Sequence, residues 1–294
     1  MNNSSSIILI FICIAFLNAC NTQKEKNKAI DKQIKEETFL GQKPQGLTPE
    51  LFAPGIVSTD NLEIAGTYDP TSNEFYFLRQ VKGQPPKTYV IQNKTGQWQE
   101  PIIEGRMDGF ISKDGKTLYE ANIFRTRTDS GWSDEKSLGT DYENLPIMRL
   151  TVSNEGKYVF DERDIIGTIR YSKVIDGQRE APKAFGQNIN TGKWTAHPFI
   201  AADESYLIWD SEREGGFGET DLYISFRQKD GSWGPAINMG KDINTPFEDS
   251  GGRVIGDGKY FFYNTIHLGQ SFEESDANIY WVDARFIESP RKKE

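Results

Sequence analysis

Five times along the chain a short polar turn releases a run of apolar and aromatic residues. The runs are Ser72-Asn73-Glu74-Phe75-Tyr76-Phe77, Asp114-Gly115-Lys116-Thr117-Leu118-Tyr119, Glu155-Gly156-Lys157-Tyr158-Val159-Phe160, Asp203-Glu204-Ser205-Tyr206-Leu207-Ile208 and Asp257-Gly258-Lys259-Tyr260-Phe261-Phe262. A turn followed by β-branched and aromatic residues predicts a strand each time. Measured on the second turn residue, successive units are 42, 41, 48 and 54 residues apart, the period of four-stranded propeller blades. Tyr223, Ser225 and Arg227 alternate with Leu222, Ile224 and Phe226, which is the two-residue period of a strand. No long stretch after Thr38 carries apolar residues at helical spacing. The pattern predicts an all-β chain.

Other landmarks keep the same phase. Gly186 and Gly240 are 54 residues apart, as are Ile189-Asn190-Thr191 and Ile243-Asn244-Thr245. Gly96-Gln97-Trp98, Gly131-Trp132 and Gly231-Ser232-Trp233 each read as a hairpin turn ending on the aromatic that opens the next strand. In the third unit Asp176-Gly177-Gln178-Arg179 keeps the turn and loses the Trp. The last unit ends after Asn278-Ile279-Tyr280-Trp281-Val282-Asp283, which matches Thr220-Asp221-Leu222-Tyr223-Ile224-Ser225 as a third strand. Its fourth strand is missing, and residues 49–57 read as an orphan fourth strand at the front. Gly55 and Gly240, Glu63 and Glu248, and Asn73 and Gly258 are all 185 residues apart. The expectation is a β-propeller of five four-stranded blades over residues 41–290, closed by that N-terminal strand, with a tail at 291–294. Six blades would require one further, strongly degenerate repeat. Closure matters because an open ring leaves strand edges free to pair with other chains.

The front of the chain has a different character. An apolar run at residues 7–17 is too short to span a bilayer and has the layout of a secretory signal. It ends in Leu17-Asn18-Ala19-Cys20, which resembles the lipobox of bacterial lipoproteins. That resemblance implies removal of residues 1–19, acylation of Cys20 and an extracytoplasmic, membrane-anchored protein on the periplasmic or cell-surface side. No Lys or Arg precedes the apolar run, and an ordinary cleaved signal or an uncleaved anchor are the competing readings. Residues 20–40 are polar and rich in Lys, Glu and Gln, which reads as a flexible tether; a short helix at residues 29–37 is the alternative. Cys13, the other cysteine, would leave with the signal, so stability must come from core and sheet without a disulfide.

Composition narrows the partners. A net charge of −9 argues against nucleic acid, whose binding rests on clustered Lys and Arg. At Ser211-Glu212-Arg213-Glu214-Gly215-Gly216-Phe217-Gly218-Glu219-Thr220-Asp221-Leu222-Tyr223, followed by Asp230-Gly231-Ser232-Trp233-Gly234-Pro235, the chain resembles the WD40-like repeats of TolB-type propellers. Gly41-Gln42-Lys43-Pro44 with Phe52-Ala53-Pro54-Gly55 is similar to the start of bacterial lipoproteins that carry such repeats. The resemblance spans residues 41–287 and implies an envelope propeller. It implies no reaction, since the fold hosts many functions.

Few residues point to chemistry. Gly215-Gly216-Phe217-Gly218 is followed by a strand rather than by the helix a phosphate loop needs, and reads as a hairpin loop. Trp194-Thr195-Ala196-His197 and Glu248-Asp249-Ser250-Gly251-Gly252 superficially resemble the histidine and serine segments of chymotrypsin-like proteases. Glu248 replaces the glycine before Asp249, and Pro198 replaces the cysteine after the histidine, so no nucleophilic catalysis is expected. Two histidines and no cysteine past Cys20 give no support for a metal held by Cys and His, and no cofactor is expected; calcium held by carboxylates is the open alternative, although no EF-hand spacing occurs.

The fold supplies the best site argument. First strands line the channel, so equivalent positions form rings: Glu63, Trp194 and Glu248; then Asp108, Arg149 and His197; then, after the second strand, Arg79, Glu162, Asp210 and Asn264. Mixed charge on a concave mouth is a ligand site, with Glu63, Arg79, Asp108, Arg149, His197, Asp210 and Glu248 as candidates; mutual pairing of these groups is the alternative. The expected function is a non-catalytic lipoprotein that binds a protein, peptide or glycan. The alternative is a glycan hydrolase using Glu63, Asp108 and Glu248, which needs two carboxyls about 5 to 9.5 Å apart. A purely structural part of an envelope assembly is a third reading.

Overall fold

The computed structural model describes residues 42, 46–94, 97–99, 101–103, 109–255, 258–271 and 274–291. The leader, the tether with Cys20, and Asp108 lie outside them. The strands run in antiparallel sets, each folding up and down beside itself. The first set is Leu62–Asp69, Glu74–Gln80 and Lys87–Lys94, with Gln97–Trp98 and Ile102–Ile103 on its outer edge. The second is Phe110–Ile111, Thr117–Glu120 and Ile123–Thr128, edged by Gly131–Trp132 and Lys136–Ser137. Ile147–Val152, Tyr158–Glu162, Ile169–Ser172 and Lys183–Ala184 make the third. Trp194–Ile200, Tyr206–Glu212, Asp221–Phe226 and Ile237–Asn238 make the fourth. The fifth is Glu248–Ile255, Tyr260–His267 and Asp276–Asp283.

Each first strand lies beside the first strand of the next set, and that of the fifth lies beside that of the first. The inner strands therefore form a ring with the sets radiating from it, which is the architecture of a β-propeller. The chain ends in a 3-10 turn, Ala284–Ile287, and a helical turn, Glu288–Arg291.

The orphan strand is where the repeat places it. Glu50–Leu51 pairs antiparallel with the third strand of the fifth set, Glu50 opposite Trp281 and Leu51 opposite Tyr280. The Phe52 N–H continues the ladder to the Ile279 carbonyl at 2.9 Å. Phe52 is fully buried, and its ring sits 4.7 Å from Phe75, 4.9 Å from Phe262 and 5.2 Å from Trp281. One aromatic from the front of the chain thus joins the first and fifth sets.

Recurring residues have recurring jobs. All five second turn residues have left-handed backbone: Asn73 (φ 56°), Gly115 (69°), Gly156 (77°), Glu204 (60°) and Gly258 (86°). Gly and Asn take that conformation at least cost. Glu204, which does not, is tied down by Lys157, by the Ser153 hydroxyl at 2.9 Å and by Arg227 at 2.8 Å. In the Ile-Asn-Thr repeats the asparagine closes on one peptide of the third strand. Asn244 accepts the Leu222 N–H at 2.8 Å and donates to its carbonyl at 3.0 Å. Asn190 does the same to Ile169 at 2.8 and 2.9 Å. At the seam the Ser58 hydroxyl donates to Ile279 at 3.0 Å. The Gly-Trp turns place indoles against an arginine of the preceding strand: Arg127 lies 3.8 Å from the Trp132 centroid and Arg227 5.6 Å from that of Trp233.

Phe52→Ala should lower unfolding free energy by about 3–5 kcal/mol, the range for truncating a fully buried aromatic. Urea denaturation measures it, and a loss below about 1 kcal/mol would mean that the seam is not packed in this way.

Candidate functional site

The inner strands are not regular. Their pairing with the second strands shifts between Ile64 and Thr67, Ile147 and Leu150, Ala196 and Phe199, and Ser250 and Arg253. Each shift sets two residues against one: Ala65-Gly66 against Phe77, Met148-Arg149 against Asp161, His197-Pro198 against Trp209 and Gly251-Gly252 against Tyr263. A bulge of this kind re-aims the side chains beside it. Ala65 (φ 61°), His197 (φ 48°) and Gly251 (φ 68°) take left-handed backbone there, so the geometry belongs to the bulge and histidine is one of its occupants.

This register corrects the expected rings. Thr67 is equivalent to Arg253, an offset of 186 rather than 185, so Glu63 matches Thr195 and Asp249 instead of Trp194 and Glu248. Arg79 likewise drops out, and Leu78 stands with Glu162, Asp210 and Asn264. Arg149 matches Pro198 rather than His197. In the first set the left-handed turn residue, Asn73, sits one place nearer the second strand than Gly258 does. Aligning on it slips that set by one residue, and a one-residue slip moves side chains to the opposite face.

Glu63 and Arg79 accordingly form a closed pair in the wall. Glu63 is fully buried, receives Arg79 Nε at 2.6 Å and also accepts from the Thr59 N–H at 3.1 Å and hydroxyl at 2.5 Å. Arg79 Nη2 is spent on the carbonyls of Ile56 at 2.7 Å and Val57 at 3.1 Å. Asp249, the equivalent of Glu63, is held by Thr245 and by the Thr265 hydroxyl at 2.6 Å.

Arg149, His197, Asp210 and Glu248 are brought together across the third, fourth and fifth sets. His197 Nδ1 lies 3.0 Å from both oxygens of Asp210. Because a carboxylate only accepts, Nδ1 carries the proton, and about one quarter of the His197 side chain remains exposed. Asp210 Oδ1 also accepts the Gly251 N–H at 3.0 Å. Asp161, which the sequence reading did not single out, completes the group: its carboxylate accepts the Arg149 N–H at 2.7 Å and the His197 N–H at 2.8 Å. It could have been found as the one acid in a column otherwise filled by Phe77, Trp209 and Tyr263. Ser250 is buried, so the resemblance to a protease serine segment brings no exposed nucleophile. Among the described residues no three His, Cys, Asp or Glu side chains are grouped to hold a metal ion.

The electrostatics follow from burial and neighbours. For His197, burial works against protonation, but the Asp210 carboxylate and its hydrogen bond outweigh burial and the opposing Arg149, so the net shift is upward. Burial and then the charge of Asp210 push the Glu248 carboxyl up. Asp161 is also raised, by burial, against the opposing pull of His197, the two N–H donors and Arg149.

No family model and no curated protein matches the chain. Among solved structures it is similar to TolB from Acinetobacter baumannii (13% identity, 74% of this chain, 54% of that chain, TM-score 0.43). The chain thus spans about half the length of that protein. Similarity also extends to an exo-1,5-alpha-L-arabinanase from a bovine ruminal metagenomic library (12% identity, 78% of this chain and 94% of that one, TM-score 0.45). A third is a beta-fructofuranosidase from Schwanniomyces occidentalis (10% identity, 82% and 59%, TM-score 0.45).

NMR titration should place the His197 pKa above the ordinary histidine value of about 6.5, and Asp210→Asn should lower it by removing the main group that opposes burial and Arg149, leaving only Asp161 against them. A raised folded-state pKa contributes stability that is complete below the unfolded value and is lost as pH rises through the folded one. The stability gap between the native chain and His197→Gln should therefore be widest in acid and narrow with rising pH; a gap that widens would contradict the assignment.

Proposed function

We propose that this chain is a five-bladed, lipid-anchored propeller of the bacterial cell envelope that binds a protein, peptide or glycan ligand at its channel mouth without catalysis. The observation that carries the reading is a division of labour among the charges. Asp161 and Asp210 spend their oxygens on the N–H groups of Arg149, His197 and Gly251 and on the His197 ring. That leaves the His197 side chain, about one quarter exposed, and the Glu248 carboxyl, which Ser250 also engages, as the groups offered to a ligand, with the Arg149 guanidinium beside Gly251. Glu63, the first acid a hydrolase would have used, is consumed by Arg79 and Thr59. The raised proton affinity of Glu248 is the one feature that favours glycan hydrolysis, since a general acid must hold its proton near neutrality. Acylation of Cys20 would hold the propeller to the membrane, and several acyl chains together make such anchoring stable.

Crosslinking in intact cells should capture a specific partner with the native chain and lose it with Arg149→Met, His197→Gln and Glu248→Gln combined, while thermal unfolding stays cooperative. Equal capture by both would remove the mouth as the binding site, and glycan cleavage abolished by Glu248→Gln alone would replace binding with hydrolysis. Labelling with a clickable palmitate analogue should mark the native chain and not Cys20→Ser, which should leave the membrane fraction; retention of label would refute the anchor.

A further inference from the structure

Among the described residues nine large apolar side chains stay exposed, and five of them sit in the connections at the end where the inner strands begin. They are Ile165 and Ile166 in the third set, Phe217 in the fourth, Phe247 just before the fifth and Leu268 within it. The other four lie near the seam strand or on the outer hairpin at residues 174–179. Single exposed apolar residues are ordinary on a protein surface, whereas a contiguous group marks an interaction site. Phe217, Phe247 and Leu268 form such a group. A β-carbon at Gly218 would stand 2.3 Å from the Phe247 carbonyl oxygen and 2.4 Å from that of Thr245, so the loop of Phe217 lies directly on the connection that bears Phe247. The Phe247 ring lies 3.9 Å from that of His267, the residue before Leu268. The third set's loop is seated on the fourth in the same way, with Gly167 against the Thr195 carbonyl.

The loops that carry these tips are fixed at their bases. The buried Asp221 carboxylate accepts the Phe217 N–H at 2.7 Å, the Gly218 N–H at 3.1 Å and the Asn238 amide at 2.7 Å. Asp164 accepts from the N–H groups of Ile166, Gly167 and Thr168 at 3.1, 2.6 and 3.1 Å. Ile165 is 94% exposed and the other four are about half exposed. Apolar surface on a loop that is already ordered costs little further freedom when a partner covers it. The charge around the group is mainly negative. Glu214 and Glu219 flank Phe217 and are exposed, Asp242 is exposed in the connection that bears Phe247, and Glu248 follows that residue. Thr220 bridges to Glu248, which brings Glu219 near it, and burial, Asp210 and Glu219 together raise the proton affinity of Glu248. Of the bases in these connections, Lys193 pairs with Glu212 at 2.6 Å and Arg213 donates to the Ile189 carbonyl at 2.6 Å, while Arg163 and Lys241 are exposed.

We propose that this rim docks a segment of a partner protein in which apolar side chains are interspersed with Lys or Arg. This deepens the binding reading above, by naming the chemistry of the partner, and rests on it. The apolar side chains of such a segment cover Phe217, Phe247 and Leu268, and its cations answer Glu214, Glu219 and Glu248. Complementary charge of this kind speeds encounter and excludes acidic competitors. Isoleucine and leucine offer no flat face for a sugar ring to stack on, which favours a peptide over a glycan at this surface.

Fluorescence anisotropy of the full chain with a labelled, amidated peptide of alternating Leu and Lys tests the rim, with Leu-Glu and Ser-Lys peptides of equal length beside it. The Leu-Lys peptide should bind saturably, the Leu-Glu peptide should not bind, and the Ser-Lys peptide should bind at least about tenfold more weakly. Phe217→Ser combined with Leu268→Ser should weaken the Leu-Lys peptide at least about tenfold, whereas Ile175→Ser on the outer hairpin should leave its affinity unchanged. Glu214→Gln with Glu219→Gln should weaken binding and flatten its dependence on salt between about 0.1 and 1 M. Thermal unfolding of each variant separates a lost surface from a lost fold. Absence of Leu-Lys binding, equal binding of the Leu-Lys and Leu-Glu peptides, or affinity unchanged in a folded Phe217→Ser, Leu268→Ser variant would overturn the docking surface. So would saturable binding of maltoheptaose that Phe217→Ser abolishes, which would make the rim a glycan platform. If in-cell capture is then still lost on combining Arg149→Met, His197→Gln and Glu248→Gln, the mouth stands as a binding site and only the rim falls.

Discussion

Closure of the ring by the front of the chain is the constraint on which the rest depends. Without residues 50–52 on the edge of Asp276–Asp283, the fifth set would end on an open strand and the first and fifth sets would lose the aromatic that joins them. An edge of that kind is a template for pairing with other chains. Each set buries part of its surface only against its neighbours, so a break at the seam exposes both flanks at once.

The same ring builds the site. Neighbouring inner strands are held together by side chains that cross from one to the next. Arg253 donates to the Thr67 hydroxyl at 2.6 Å, and Thr67 donates to the Gly109 carbonyl at 3.0 Å. Thr151 receives the Ile200 N–H at 3.2 Å. Asp161 and Asp210 perform this duty between the third, fourth and fifth sets, and in doing so they fix the His197 ring and its backbone. The candidate site residues are thus by-products of joints the fold needs in any case. At Glu63 and Arg79 such a joint is closed by its own partners, whereas Arg149 Nη1 is buried without one among the described residues.

Much of the architecture was legible in the sequence because its repeating unit is local. A left-handed turn residue selects Gly or Asn, an asparagine clamp selects Ile-Asn-Thr, and a strand needs its aromatic run; each leaves a mark that recurs with the blade. The orphan strand was legible for the same reason, since Phe52 and its flanks match a fourth strand and nothing else in the repeat. The exact rings were harder. Bulges add a residue without changing composition, and the turn at Asn73 shifts its left-handed position by one place, so Glu63 and Arg79 were set on a ring they do not join. Arg149 and His197 occupy neighbouring rather than equivalent bulge positions, and they approach Asp210 and Glu248 because the inner strands of the third, fourth and fifth sets lie side by side. Asp161 escaped notice because its role, accepting two backbone N–H groups from different strands, is visible only once those strands are side by side.

Ring closure can be measured directly through the pair Leu51 and Tyr280, which face each other across the seam. A chain carrying Leu51→Cys and Tyr280→Cys, with the native cysteines replaced, should form a disulfide on mild oxidation and unfold at distinctly higher urea, since a bridge closing so long a loop is worth on the order of 4–5 kcal/mol. Failure to bridge in the folded protein, with both thiols remaining free to label, would show that the front of the chain does not complete the last sheet.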